Sequence, residues 1–264
     1  MRVSPVPSGR HIGTAGLWRM GSAVGTTHKK ERMDWNSKLI SNLNFGANIN
    51  NREAKLSLAA MVAAKARNGE TIGFGSGSSS FLTILEIGKR VATEGLQIKA
   101  IPTSHEVELK CAQQRIPTVS FNVARPDWCF DGADEVDPAN NLIKGRGGAM
   151  FKEKLIMAAS PKTFILADSS KLVKKLGEKF PVPVEVNPFA LSSVESSLLT
   201  LGAVSIQLRM AGGKDGPVIT ENGNFILDVR FNHIGEGFEK EIKLIGGVLD
   251  SGLFIGYNIE VVSS

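Results

Sequence analysis

Cysteine is nearly missing from this chain: Cys111 and Cys129 are the only two in 264 residues. Both sit in apolar contexts and far apart, which argues against a disulfide framework or a thiolate metal pair and for small buried hydrophobes in a reducing compartment. No apolar run approaches the roughly 20 residues that cross a bilayer, so no membrane segment is expected. Histidine is thin as well. His11, His28, His105 and His233 are scattered without ligand spacing, so no metal site is expected. Nor does the body carry net charge. Arg2, Arg10, Arg19, Lys29, Lys30 and Arg32 face one acid, Glu31, and this accounts for the whole net charge of +5, leaving 25 bases and 25 acids elsewhere. The pI near 9.2 therefore belongs to the N-terminal segment, and composition gives no support for a nucleic-acid footprint.

What remains is ordinary for a soluble globular chain, with 42% hydrophobic and 22% charged residues. The length suits one large domain or two moderate ones. Residues 1–48 are rich in Gly, Ser, Thr and Arg, lack acids until Glu31 and show no periodicity. They are expected to be a disordered tail, an extension from an upstream start or an organelle transit peptide. The body is otherwise expected in the cytoplasm.

From Asn51 onward the pattern is regular. Helices are expected over 52–67, after the glycine-rich turn at 75–80 to about Arg90, from a capping box at Thr103 and Glu106 to Gln114, and over 150–159. Strands are expected at 71–74, 98–101, 118–121, 128–130 and 163–167. This alternation predicts an α/β fold with a parallel sheet. The texture changes at Pro181-Val182-Pro183. Beyond it come a strand at 184–186, a helix at 188–201, a strand at 205–209, a hairpin of 218–220 with 225–228 through Asn222-Gly223, and a helix at 236–244. This reads as a smaller α+β domain over 181–250. Strands at 253–256 and 259–262 are expected to rejoin the first sheet, so residues 49–180 and 251–264 form one domain.

The densest chemistry lies between Asp131 and Lys154, where nine charged side chains stand among small residues. Asp131, Asp134 and Glu135 follow a strand, and ligands of open α/β sheets sit at such carboxyl ends. Lys144 and Arg146 lie among glycines, which suits an anionic substrate or a developing oxyanion. Glu153 sits in the first turns of a helix. A second motif, Gly75-Ser76-Gly77-Ser78-Ser79-Ser80, joins a strand to a helix and offers amides and hydroxyls to an anion. It lacks the Gly-Lys-Ser/Thr ending of a nucleotide loop, and no acid follows the second strand as a dinucleotide site would want. A single phosphate suits it. Lys171 stands at another strand-to-helix junction, and Lys55 on the first helix. Taken singly, each of these is as ordinary as a solvated turn or helix face.

Together, DGADEVDP, IKGRGGA, KEK, ADSSKLVKKLG, PVPVEV and ITENGNFILD resemble ribose-5-phosphate isomerases of the A type, in the family's order, from about Asn51 to Val262. The resemblance implies a Rossmann-like domain with a smaller, ferredoxin-like α+β domain, in homodimers or homotetramers. It implies cofactor-free interconversion of D-ribose 5-phosphate and D-ribulose 5-phosphate in the pentose phosphate pathway. By the same resemblance Glu153 is the general base, and Asp131, Asp134 and Lys144 assist ring opening and stabilise the oxyanion. Ser76, Gly77, Ser78, Ser79, Lys171 and Lys55 would bind phosphate, and Gly132, Ala133, Gly145, Arg146 and Gly147 would line the substrate. Ser76 and Ser79 stand where threonine is usual, Arg146 where many members have glycine, and His105 where an aromatic or small residue is more common. A non-catalytic sugar-phosphate-sensing domain is the main alternative, although residues 1–48 show no helix-turn-helix pattern for it. An isomerase of another sugar phosphate, such as an amino sugar, is a third.

Overall fold

The structure is a computed structural model that describes residues 37–44 and 49–263. Most of the expected tail lies outside these residues. Within it, a short helix α1 (Lys38–Ser41) rests beside Gln113, whose amide donates to the carbonyls of Ile40, Ser41 and Leu43.

A five-stranded sheet forms the centre. Its order is β12 (Ile259–Ser263), β6 (Thr163–Ala167), β3 (Trp128–Gly132), β1 (Thr71–Phe74) and β2 (Lys99–Pro102), with every pair parallel. Parallel strands are covered on both faces, and so β6, Thr-Phe-Ile-Leu-Ala, is buried at all five positions. Alternation sends Phe74, Phe130 and Leu166 to one face and Cys129, Ile165 and Ala167 to the other. Helices α2 (Arg52–Ala63), α3 (Ser78–Glu94) and α4 (His105–Gln113) cover the first face through Leu58, Val62, Leu82, Ile87 and Val107. Helix α5 (Met150–Ala159) covers the second through Met150, Ile156 and Met157. Each fully buried leucine or isoleucine contributes about 1.5–3 kcal/mol relative to exposure.

Residues 182–251 build a second, antiparallel sheet in the order β10 (Val248–Ser251), β7 (Val182–Val186), β9 (Phe225–Phe231), β8 (Ala203–Leu208). Helices α6 (Leu191–Thr200) and α7 (Phe238–Lys243) complete a βαββαβ unit, the ferredoxin-like arrangement. A third, small antiparallel sheet joins β11 (Leu253–Phe254), β5 (Leu142–Ile143) and β4 (Glu135–Val136).

Several expectations are corrected. Helix α2 ends at Ala63, because Lys65 and Ala66 bond back three residues and tighten the last turn. The cap of α4 is Ser104, whose hydroxyl accepts from Val107 N; Thr103 instead donates to the Phe74 carbonyl. Residues 118–121 form no strand and touch the sheet by one bridge, Ala100 to Thr118. Residues 218–220 are not a strand either. Asn222 and Asn224 turn their amides inward to the buried Glu185, and Thr220 Oγ1 donates to it at 2.6 Å. Ile259–Ser263 joins the central sheet, but Leu253–Phe254 joins the small one, drawn there by Gly252, which donates to Pro183 O and accepts from Lys144 N. No helix among the described residues is long and apolar enough to cross a membrane.

Candidate active site

From β1 the chain goes one way to β2 and the other way to β3. Crevices open at such a reversal, beyond the carboxyl ends of the strands. Here Gly75 N donates to Phe130 O at 2.9 Å, and a Cβ on Gly75 would overlap the Asp131 carboxyl. Glycine at position 75 is therefore the condition for bringing the two loops together. Gly77, at φ +88°, turns the chain into α3 in a conformation that L side chains resist.

A cleft of about 880 Å³ opens here. Lys55, Ser76, Gly77, Ser78, Ser79, Gly132, Ala133, Asp134, Lys144, Gly145, Arg146, Gly147, Glu153 and Lys171 all line it. Asp131 does not; it lies behind Lys144. Glu135 also turns away, fully buried. Ile49, Asn50, Asn51, Asp168, Ser170 and Phe180 line the cleft as well. The sequence reading did not single them out, and only Asn51, before the first helix, and Asp168, at its strand end, carried a local signal.

One end of the cleft is a buried charge cluster. Lys144 Nζ lies 2.9 Å from Asp131 Oδ2 and 3.4 Å from Glu153 Oε2, and donates to Gly132 O at 2.6 Å. Asp131 Oδ1 accepts from Gly132 N at 2.8 Å and Ser80 Oγ at 3.3 Å. Glu153 Oε2 is buried and faces Lys144 Nζ as an ion pair at 3.4 Å. Burial pushes the Glu153 carboxyl up to about 8; Asp131 adds to the rise and Lys144 opposes it. Burial raises Asp131 too, against the pull of Lys144. Burial works against the charge of Lys144, but Asp131 and Glu153 outweigh it and hold the ammonium above the usual lysine range. One cation thus serves two carboxylates, and the second proton belongs to the pair. The neighbours of Glu153 pair elsewhere: Lys152 with Glu221, Lys154 with Glu239 and Asp250.

Backbone bonds set this cluster. Asp134 Oδ2 accepts from Arg146 N at 3.3 Å. From the antiparallel sheet, Arg209 donates to the carbonyls of Gly145 and Arg146 while its guanidinium pairs with Asp228. The Arg146 side chain is exposed.

The other end is cationic and hydroxylic. Lys55 Nζ donates to Ser78 Oγ at 3.2 Å. Burial lowers the Lys55 pKa, with Lys171 adding to the fall and Asp168 opposing it. Asp168 caps the turn before Lys171 by accepting from Ser170 N at 3.0 Å, and Asn51 reaches it at 3.5 Å. Burial opposes its charge, yet the Ser170 bonds and Lys55 hold it below the ordinary carboxylate range. The first amides of α3 have no acceptor within the helix and face this end beside Ser78 and Ser79. Ser76 Oγ is taken up by Thr103 Oγ1 at 2.8 Å and Ser104 Oγ at 3.0 Å. No group of three or more His, Cys, Asp or Glu among the described residues could hold a metal ion.

The chain matches the family model for ribose 5-phosphate isomerase A (phosphoriboisomerase A) over residues 99–264. It is 43% identical over 208 residues to ribose-5-phosphate isomerase A of Thermosynechococcus vestitus, covering 77% of this chain and 88% of that protein. With the Methanocaldococcus jannaschii protein of the same name it shares 43% over 209 residues, 78% of this chain and 92% of the other. The solved structure of ribose 5-phosphate isomerase A from M. jannaschii superposes with a TM-score of 0.78 at 40% identity, covering 81% and 95% of the two chains. A D-ribose-5-phosphate isomerase structure in complex with phospho-erythronic acid gives 0.78 at 37%, covering 81% and 96%. At this identity and coverage, in sequence and in fold, the chain belongs to the ribose 5-phosphate isomerase A family.

Proposed function

We propose that this chain interconverts D-ribose 5-phosphate and D-ribulose 5-phosphate, with the phosphate at the Lys55, Ser78 and Lys171 end and C1 and C2 at the Glu153 end. The observation that carries this is the pairing of Glu153 with Lys144, 3.4 Å apart and buried, in the cleft that also holds Lys55 and Lys171. Glu153 takes the C2 proton of the open-chain aldose. The C2–H electron pair becomes the C1–C2 double bond of an enediolate, and negative charge develops on O1. Lys144 faces that charge, with Asp131 behind it fixing the ammonium. Asp134, at the cleft surface, serves ring opening. The O2 proton passes to O1, the negative charge moves to O2, and as the C2 carbonyl forms Glu153 returns the proton to C1. A positioned base of this kind is worth about 10²–10⁴-fold, and the remote phosphate grip orients the reacting carbons.

The resident groups supply base, electrophile and anchor, so the proposed reaction uses no cofactor. A binding module would have no need of a buried Glu153 carboxylate set against the Lys144 ammonium. The relative solved with phospho-erythronic acid, a phosphorylated sugar acid, supports a sugar phosphate as substrate. Placement of residues 49–180 and 251–264 in one domain, residues 181–250 in another, and assembly as a homodimer or homotetramer belong to the same proposal. So do a place in the pentose phosphate pathway and a cytoplasmic location.

The test is turnover of ribose 5-phosphate in D2O. Ribulose 5-phosphate carrying at least partial solvent deuterium at C1 after repeated turnover is expected, since the Glu153 proton can exchange with solvent between cycles; no ketose, or ketose still free of deuterium at equilibrium, counts against the reading. A pH profile follows from Glu153. The base works ionised, and its carboxyl titrates at about 8 in the free protein. The quantity kcat/KM should therefore climb roughly tenfold from pH 7 to pH 9 before levelling. A profile flat across that range would mean that another group accepts the proton.

A further inference from the structure

Glu135 is a buried carboxylate that the proposed chemistry leaves unused. It follows Asp134 directly, yet it is fully buried and does not line the cleft. Among the described residues no lysine or arginine pairs with it. Its partners are three backbone amides of one loop: Gly177 N at 2.7 Å, Lys179 N at 2.6 Å and Phe180 N at 2.6 Å. A buried charge needs such donors to be tolerated, and here they converge from a loop that has no regular structure of its own.

That loop in turn grips the segment carrying Lys171. Lys179 Nζ donates to Ser170 O at 2.7 Å and to Leu172 O at 3.0 Å, the carbonyls on either side of Lys171. The Phe180 ring lies 5.3 Å from Lys171 Nζ and lines the cleft. From the same strand as Glu135, Val136 O accepts from Val173 N at 3.0 Å. Every hold on the Lys171 turn from this side therefore runs through β4 or through the loop that Glu135 fixes.

We propose that Glu135 is a positioning residue for the phosphate end: it orders loop 177–180, and the loop presents Lys171 to the substrate phosphate. This rests on the reading of the cleft as a sugar-phosphate site. Releasing the loop would charge its ordering to each binding event, an effect that raises KM and spares kcat.

The experiment uses the full chain with Glu135→Gln and Lys179→Met, the second altering an exposed residue outside the core. Ribose 5-phosphate and unphosphorylated D-ribose are assayed in parallel, and phospho-erythronic acid binding is measured by calorimetry. The expected result for Glu135→Gln is a KM for ribose 5-phosphate raised about ten- to hundredfold, in line with a lost charged hydrogen bond. Its kcat should stay within about threefold, kcat/KM for D-ribose should be unchanged, and phospho-erythronic acid should bind correspondingly weaker. Lys179→Met should move in the same direction by a smaller factor, and it decides the matter if Glu135→Gln does not fold. Equal losses on both sugars, or an unchanged KM, overturn the proposal. A wild type that turns over neither sugar would sink the isomerase reading, while the calorimetric arm would still read the role of Glu135.

Discussion

Glu153→Gln is expected to lower kcat by about 10²–10⁴-fold while raising the thermal stability of the protein. The loss follows from removing the one group placed to take a proton from carbon and give it back. The gain follows from linkage. The folded-state pKa of Glu153 is raised, to about 8, so folding favours its protonated form. That contribution is complete below the pKa of an unfolded glutamate, about 4.3, and is lost as pH rises through about 8. Glutamine keeps the shape, carries no charge and escapes the loss. The melting temperature of the variant should therefore match wild type near pH 4 and pull ahead steadily up to pH 9. Differential scanning fluorimetry across that range reads it directly. An unchanged gap would mean that Glu153 is not the group whose ionisation burial resists, and residual activity within tenfold of wild type would remove its role as base.

Lys144→Met is expected to have the opposite sign on stability and nearly the same effect on turnover. The ammonium lies 2.9 Å from Asp131 and 3.4 Å from Glu153, with 3% of its surface exposed. Methionine fills much of the volume but leaves two buried carboxylates facing one another. Removing one partner of a buried pair costs about 3–5 kcal/mol. Proton uptake by the carboxylates relieves part of this, so the destabilisation should be smallest at low pH and grow toward pH 9. Activity should drop by at least about 10²–10³-fold through loss of the charge facing the enediolate oxygen. The two variants thus diverge in melting temperature as pH rises, while both are nearly inactive. A Lys144→Met protein that melts like wild type at pH 9 would contradict the assigned geometry.

Much of this was legible in the chain. Thr71–Phe74 is β-branched and aromatic between glycines, and the strand has those limits. Helix α5 and strand β6 likewise keep the bounds that periodicity gives them. The small sheet was not legible, because two-residue strands such as Leu142–Ile143 have no period to show. Its membership is decided by Gly252, which accepts from Lys144 N and donates to Pro183 O over long sequence separations. The Asn222-Gly223 turn forms, with Gly223 N bonded to Thr220 O. Its first arm is not a strand, because the asparagine amides serve the buried Glu185. At the site, charge density between Asp131 and Lys154 pointed to the cluster, and of the residues assigned roles by the family resemblance all but Asp131 line the cleft. Composition had no means of telling Asp131, Asp134 and Glu135 apart. One stands behind the lysine, one at the cleft wall and one on the far side, and only the turn of the backbone after β3 decides which. Ile49, Ser170 and Phe180 were silent for a related reason: they are uncharged, and their nearness to the cleft is purely tertiary.

Arg209 carries a consequence of its own. It sits just past β8 in the antiparallel sheet, pairs with Asp228 of β9, and holds the carbonyls of the two residues that follow Lys144. The loop that follows Lys144 is thereby tied to the antiparallel sheet, while Asp131 stands on β3 of the central sheet and Glu153 on α5. Under the proposed chemistry, competence would be a cooperative property of both sheets: a local opening of either one would separate Lys144 from its carboxylates without unfolding the rest.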